Sequence, residues 1–200
     1  MGVTDEIQGV DAIGVVGVLL KNRRAGETKL AWNLPNLSAP ETLVLTSGAF
    51  GDGEAIPAEH AGKRAGGRNL SPQLAWSAPP DGTTELLLVV EDADAPTPRP
   101  FVHCVALIEP QVRELPSGAL AAGNPAAGVR VLRSGMGRGY LGPEPIKGHG
   151  PHHYTFQLFA LATAAAGGEA AAEQAKPRAL LSSVSGPVLA RGRLTGVYER

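Results

Sequence analysis

The sequence predicts a mainly β domain of short strands and loops with small peripheral helices, and three observations carry that prediction. Glycine (26 residues) and proline (17) make up about a fifth of the 200, which interrupts the chain too often for a helical bundle. Apolar runs of strand length, each bounded by turn-forming residues, stand at 43–46, 86–90, 102–108 and 154–161. Two of these runs are nearly continuous rather than alternating, which suits central strands covered on both faces.

The Ala-rich stretch 162–181 has room for one short helix, weakened by Gly167 and Gly168. Residues 182–189 have room for another after the break at Pro177. The Gly, Ala and Pro of 116–128 read as a surface loop. At 43% hydrophobic content the chain buries a sizeable core and reads as one domain over 1–200.

The formal net charge is −1, with 18 basic against 19 acidic residues spread without long runs. No basic stripe suits duplex nucleic acid, which is therefore not an expected partner. The lone Cys104 cannot form an intrachain disulfide and fits a reducing compartment, so the cytoplasm is the expected location. The apolar stretch 10–20 is broken by Asp11, follows no basic segment and is far shorter than a membrane span, so neither a leader nor an anchor is expected.

The chemistry concentrates in two places. An apolar run ends in Glu91-Asp92-Ala93-Asp94-Ala95-Pro96, and if the strand persists, Asp92 and Asp94 share a face. Pro96 fixes its own φ and keeps Ala95 out of the helical region, so the exit is stiff and open to a cis bond. A solvated strand end would look the same on these six residues alone. His103 follows inside an apolar segment, where a histidine is ordinarily a satisfied core residue.

The second place is the Gly/Pro-rich loop from Gly137 to Pro151, which can present backbone N–H groups to an anion. It leads into His152, His153 and Tyr154 at the start of a strand. His152 and Tyr154 then point the same way and His153 to the opposite face. Two carboxylates, two histidines and a phenol suit a metal site, an acid/base pair or a proton-tunable anion pocket, and spacing alone does not choose among these.

At this point the sequence resembles a known family. Asp92-Ala93-Asp94-Ala95-Pro96 is similar to the Asp-Pro-Asp-Ala-Pro motif of phosphatidylethanolamine-binding proteins, and the loop ending in His152-His153-Tyr154 looks like their second motif. Asn69-Leu70-Ser71-Pro72 and the ending Gly196-Val197-Tyr198-Glu199-Arg200 resemble the bacterial, Raf-kinase-inhibitor-like branch, so the likeness covers roughly 40–200. It implies a β-sandwich with antiparallel sheets, short C-terminal helices and a pocket at one end of the sheets. It also implies that Asp92, Asp94, His103, His152 and Tyr154 line that pocket, with Pro96 on one wall and backbone from Gly142 to Pro145 on another; His149 and His153 are not implied as members.

The sequence departs from the family pattern where Ala93 replaces a proline, Cys104 a common tryptophan, and Ile146 a frequent second proline. The resemblance implies a phosphate-bearing or other anionic small molecule or lipid head group as ligand, and a kinase or protease as the partner in inhibition. It also implies a homodimer. In that dimer, residues 17–27 form a short strand and basic turn at the contact. No serine or cysteine of the motif cluster is paired with a base and Cys104 lies in an apolar strand, so neither covalent catalysis nor a cofactor is expected. The rival is a metal-dependent hydrolase built on Asp92, Asp94, His103 and His152; a further alternative is a purely protein-binding surface.

Overall fold

The computed structural model describes residues 12–165 and 168–200. Along the chain come α1 (Ala12–Leu20), β1 (Leu45–Thr46), β2 (Leu74–Trp76), β3 (Glu85–Asp92), β4 (Phe101–Ile108), β5 (Glu114–Leu115), β6 (Val129–Val131), β7 (Arg133–Ser134) and β8 (Gly137–Arg138). They are followed by β9 (His152–Leu161), α2 (Gly168–Gln174), α3 (Pro177–Ser183) and β10 (Val188–Tyr198). The long strands form a five-stranded sheet in the order β10-β9-β3-β4-β6, antiparallel throughout. A smaller antiparallel sheet has the order β1-β2-β5, and β7-β8 is a two-stranded ribbon.

Strand alternation distributes the apolar residues between two cores. Leu86, Leu88 and Val90 of β3, Cys104, Ala106 and Ile108 of β4, and Phe156, Leu158 and Ala160 of β9 meet Leu45, Leu74, Trp76 and Leu115 of the small sheet. That is the sandwich interior. On the other face, Leu87, Val89, Val105, Leu107, Phe159 and Leu161 lie under Leu30, Trp32 and Leu37 and under Leu180 and Leu181 of α3. The large sheet is covered on both sides, which is why β3 and β4 read as unbroken apolar runs. Leu86, Leu87 and Leu88 are each 0% exposed, and each such burial contributes roughly 1.5–3 kcal/mol.

Several elements differ from the sequence reading. Both C-terminal helices fall within 168–183, because Pro177 occupies the first turn of α3, where its missing N–H costs no bond; 182–189 holds no second helix. Residues 188–198, of which only 196–198 fell in the family-like ending and 188–189 in the expected helix, form β10 at the sheet edge. Segment 40–56 covers that edge, with Leu43 N–H donating to Arg191 O and Ile56 N–H to Val197 O. In place of a short strand in 17–27, α1 runs to Leu20 and a 3-10 turn begins at Glu27. The Ala95–Pro96 bond is trans. Val10 and Asp11 lie outside the described residues, and no helix among the described residues is long and apolar enough to cross a membrane.

Candidate functional site

The three central strands deliver their ends to one side of the sandwich. Asp92 closes β3 and stands opposite Tyr154 of β9 and Phe101 of β4. As alternation requires, His152 and Tyr154 point inward and are 2% and 1% exposed, while the His153 ring points outward.

His103 reaches the same side by a different device. Val105 and Leu107 belong to the outer core and Cys104 and Ala106 to the inner one, so strict alternation would send His103 outward with Val105. The pairing register shifts here, with Val90 opposite Cys104 and Glu91 opposite Val102, which leaves His103 as the extra residue of a β-bulge. A bulge re-aims a side chain: Val102 rejoins the outer core, and His103 meets Tyr154 edge to face with ring centroids 5.0 Å apart.

A cavity of about 640 Å³ opens among these residues, lined by Asp92, Pro96, His103, Gly142, Pro145, His152 and Tyr154, with Lys63, Arg64, Met136 and Ile146 among its other walls. Seven of the eight residues singled out from the sequence therefore share one cavity. Asp94 does not line it, because β3 ends at Asp92 and the chain turns. Oδ1 of Asp92 accepts the backbone N–H of Asp94 (2.8 Å) and Ala95 (3.1 Å), which sends the Asp94 side chain out of the cavity wall. There Asp94 Oδ2 accepts the ring N–H and the backbone N–H of His153, each at 2.7 Å, and its Oδ1 pairs with Arg24.

Burial raises the Asp94 carboxyl, but the hydrogen bonds from His153 and Arg24 outweigh it and hold the group below its ordinary value. Its contribution is then present above the ordinary carboxylate value and is lost as pH falls through the lower folded value. Asp94→Asn is expected to cost about 2 kcal/mol at pH 7. In urea unfolding the difference from wild type should shrink towards pH 3; a constant difference would mean that charge plays no part.

The loops carrying the cavity walls are tied together by Asn69, in a left-handed conformation (φ 57°). Its Oδ1 accepts the Gly142 N–H at 2.7 Å and its amide donates to Tyr140 O at 3.2 Å. A β-carbon at Gly142 would lie 2.4 Å from His60 O, so only glycine lets these loops meet. The Gly142 N–H is thereby committed within the protein. At the cavity wall Arg64 binds Glu144 through its backbone N–H (2.9 Å) and its Nε (3.0 Å).

Both ring nitrogens of His152 are committed, Nδ1 to Asp92 Oδ2 and Nε2 to His149 Nδ1, each at 2.7 Å. His152 therefore has no N–H left for a ligand. His103 donates from Nδ1 to Leu141 O at 2.6 Å and turns an unpartnered Nε2 to its surroundings. Burial pushes its imidazole below the ordinary value, against the pull of Asp92, so it is a neutral acceptor at pH 7. Burial, and next the Asp92 carboxylate, push the Tyr154 phenol well above its ordinary range. Its hydroxyl is a permanent donor, and it has no hydrogen-bond partner among the described residues.

Cys104 lies in the inner core, and burial pushes its thiol up to about 12, far from a thiolate at neutral pH. Among the described residues no three His, Cys, Asp or Glu side chains converge as a metal ion would need. The sequence reading gave the segment 20–26 only a place at a dimer contact; in the structure it straps the two motif loops together. Arg24 binds Asp94 and Pro151 O, Ala25 N–H donates to Ala95 O, and Gly26 N–H donates to Ala93 O. Nothing in its composition announces this role, because its contacts are to residues distant in sequence.

Known proteins share this fold. Residues 46–199 match the family described as Phosphatidylethanolamine-binding protein. The UPF0098 protein PH1269 of Pyrococcus horikoshii is 35% identical over 161 residues, covering 77% of this chain and 75% of that protein. A Mycobacterium tuberculosis protein with the provisional name lipoprotein LppC is 38% identical over 163 residues, covering 80% of this chain and 74% of that protein. The crystal structure of E. coli YbcL, described as a new member of the mammalian PEBP family, superposes with a TM-score of 0.71 at 30% identity, covering 79% of this chain and 98% of YbcL.

Proposed function

The chain belongs to the phosphatidylethanolamine-binding protein family, and from that premise we propose that its cavity binds a small phosphate-bearing or other anionic molecule, a lipid head group included, without covalent chemistry. The observation that carries this reading is the Tyr154 hydroxyl, buried and without an acceptor at the cavity wall. A buried donor left unpaired costs about 1–3 kcal/mol, and a phosphate oxygen supplies the acceptor. Lys63 adds positive charge at the cavity, where the Arg64 guanidinium is balanced by Glu144. The lone pair on His103 Nε2 suits an ammonium N–H. A zwitterionic phosphoethanolamine group meets both halves.

Calorimetric titration with phosphoethanolamine at pH 7 is expected to give saturable one-to-one binding, weakened about tenfold in Tyr154→Phe. Absence of binding by the wild-type chain at millimolar ligand would overturn the reading. Affinity is expected to rise as pH falls from about 8 to 6, the histidine range. His103 adds to the rise only below its ordinary value, because burial disfavours its charged form. A flat profile would count against histidine as the source of charge.

The protein-level role is part of the same proposal. A kinase or protease is the expected partner in inhibition, and equal inhibition by wild type and by Tyr154→Phe would detach that role from the cavity. Two copies are expected to associate, and sedimentation velocity at micromolar concentration that finds only the 20.6 kDa chain would remove that expectation. A cytoplasmic location is checked by cell fractionation, and recovery with membranes would refute it.

A further inference from the structure

Four hydrogen bonds, two of them sharing His149 Nε2, run in line behind the cavity wall. His149 Nε2 lies 2.8 Å from Leu20 O and 3.2 Å from Arg23 O; His149 Nδ1 lies 2.7 Å from His152 Nε2; and His152 Nδ1 lies 2.7 Å from Asp92 Oδ2. His149 and His152 are 1% and 2% exposed. A carbonyl oxygen only accepts, so His149 carries a proton on Nε2. Two imidazole nitrogens at 2.7 Å need a second proton between them, since facing lone pairs repel. The contact with Asp92 needs a third.

Two neutral imidazoles own two protons, so this chain of contacts holds one more. Asp92 already accepts two backbone N–H groups at Oδ1, an arrangement that favours the carboxylate. The third proton therefore belongs to the rings. We infer that His149 and His152 share one excess proton at neutral pH and form a single buried cation, presented to the cavity by His152, with His149 as the positioning residue that makes it so. The inference rests on the reading of the cavity as an anion site, and it names the proton that offsets the Asp92 charge there.

The groups around the pair agree. From β3, Asp92 is the counter-ion in contact. From β4, His103 interacts electrostatically with His152 and is held neutral by burial. From β9, the Tyr154 ring lies nearly parallel to His152 at 6.4 Å. Tyr198 of β10 stands opposite His152 in register. From the strap come the Leu20 and Arg23 carbonyls at the C-terminal end of α1, which favour a cation. The nearby Arg24 and His153 are paired with Asp94, and Lys147 stands two residues before His149 on the same loop. One carboxylate thus balances one shared proton.

The test is long-range proton–nitrogen NMR of the full chain labelled at its five histidines, recorded without ligand between pH 5 and 9. At pH 7 the four ring nitrogens of His149 and His152 should show three protons in all, and His149→Phe should leave His152 with one. In that variant phosphoethanolamine affinity at pH 7 should fall about tenfold. Two protons on the wild-type pair at pH 7 would overturn the inference, and the wild-type spectrum decides this even if the variant fails to fold. A three-proton pair in a chain that does not bind phosphoethanolamine would leave the cation standing and sink the anion-site reading. Tight binding with two neutral rings would do the reverse.

Discussion

Glu91→Ala should lower the unfolding free energy by about 3–5 kcal/mol and the thermal midpoint by on the order of 10 °C. Glu91 is 0% exposed and points to the outer face of β3, where it organises a polar network inside the second core. Its Oε2 accepts the Ala31 N–H at 2.6 Å and the Gln157 amide at 3.0 Å, and its carboxylate pairs with Arg178. Gln157 Oε1 in turn accepts the Trp32 N–H at 2.6 Å, and Arg178 donates to Lys29 O at 3.0 Å. Truncation leaves a guanidinium without its counter-ion and two buried donors without an acceptor, the costly case for a buried pair.

Burial raises the Glu91 carboxyl, and the opposing pulls of Arg178, Ala31 and Gln157 do not cancel it. The folded chain then binds this proton above the value at which the unfolded chain releases it, so ionising Glu91 costs stability as pH rises through that window. The difference between wild type and Glu91→Ala should therefore grow as pH is lowered from 7 towards 5, opposite in sign to the Asp94 effect. Glu91→Leu combined with Arg178→Leu should cost less than Glu91→Ala, because no charge is stranded. Urea unfolding at the two pH values checks all three statements. A loss under about 1 kcal/mol would mean that water reaches the network and screens it.

This network also marks where sequence reasoning stops. Three of the four apolar runs mapped onto β3, β4 and β9 because their residues are buried on both faces at a sheet centre, so hydrophobicity alone reports them; of the run 43–46 only Leu45 and Thr46 form β1, an edge strand with one exposed face. Strand β10 carries Arg191, Gly192, Arg193 and Gly196, a composition that looks irregular. Its glycines are explained by close approach, since a β-carbon at Gly192 would meet Leu43 O at 2.1 Å. That contact joins residues far apart in the chain, and no local pattern encodes it.

The candidate site divides in the same way. Period-two alternation put His152 and Tyr154 together and His153 opposite, and the structure has them so. The same rule misplaces Asp94, because the Asp92 side chain caps the turn and the strand ends two residues before Asp94. It would misplace His103 as well, since a bulge is invisible in a run such as Phe101-Val102-His103-Cys104-Val105. His149 stands three residues before His152, a spacing that has no direction in a Gly/Pro loop. Its role appears only once α1 brings the Leu20 carbonyl against it.

His152→Ala should weaken phosphoethanolamine binding on the order of a hundredfold at pH 7. The ring supplies no free N–H to the ligand, so the loss is not that of one hydrogen bond. It removes the link between Asp92 Oδ2 and His149 Nδ1, leaves the Asp92 charge uncompensated beside the incoming anion, and opens space next to Tyr154. His152→Asn separates these effects, because it keeps a polar group near Asp92 without the ability to carry positive charge. Asp94→Asn is the matching control: its carboxylate faces Arg24 and His153 rather than the cavity, so affinity should change little while stability falls. Calorimetry on the three variants, with crystals grown in phosphoethanolamine, reads the outcome. Strong loss in both His152 variants and not in Asp94→Asn assigns the effect to charge at the cavity wall; loss in His152→Ala alone assigns it to shape, and equal loss in Asp94→Asn would return the second carboxylate to the site.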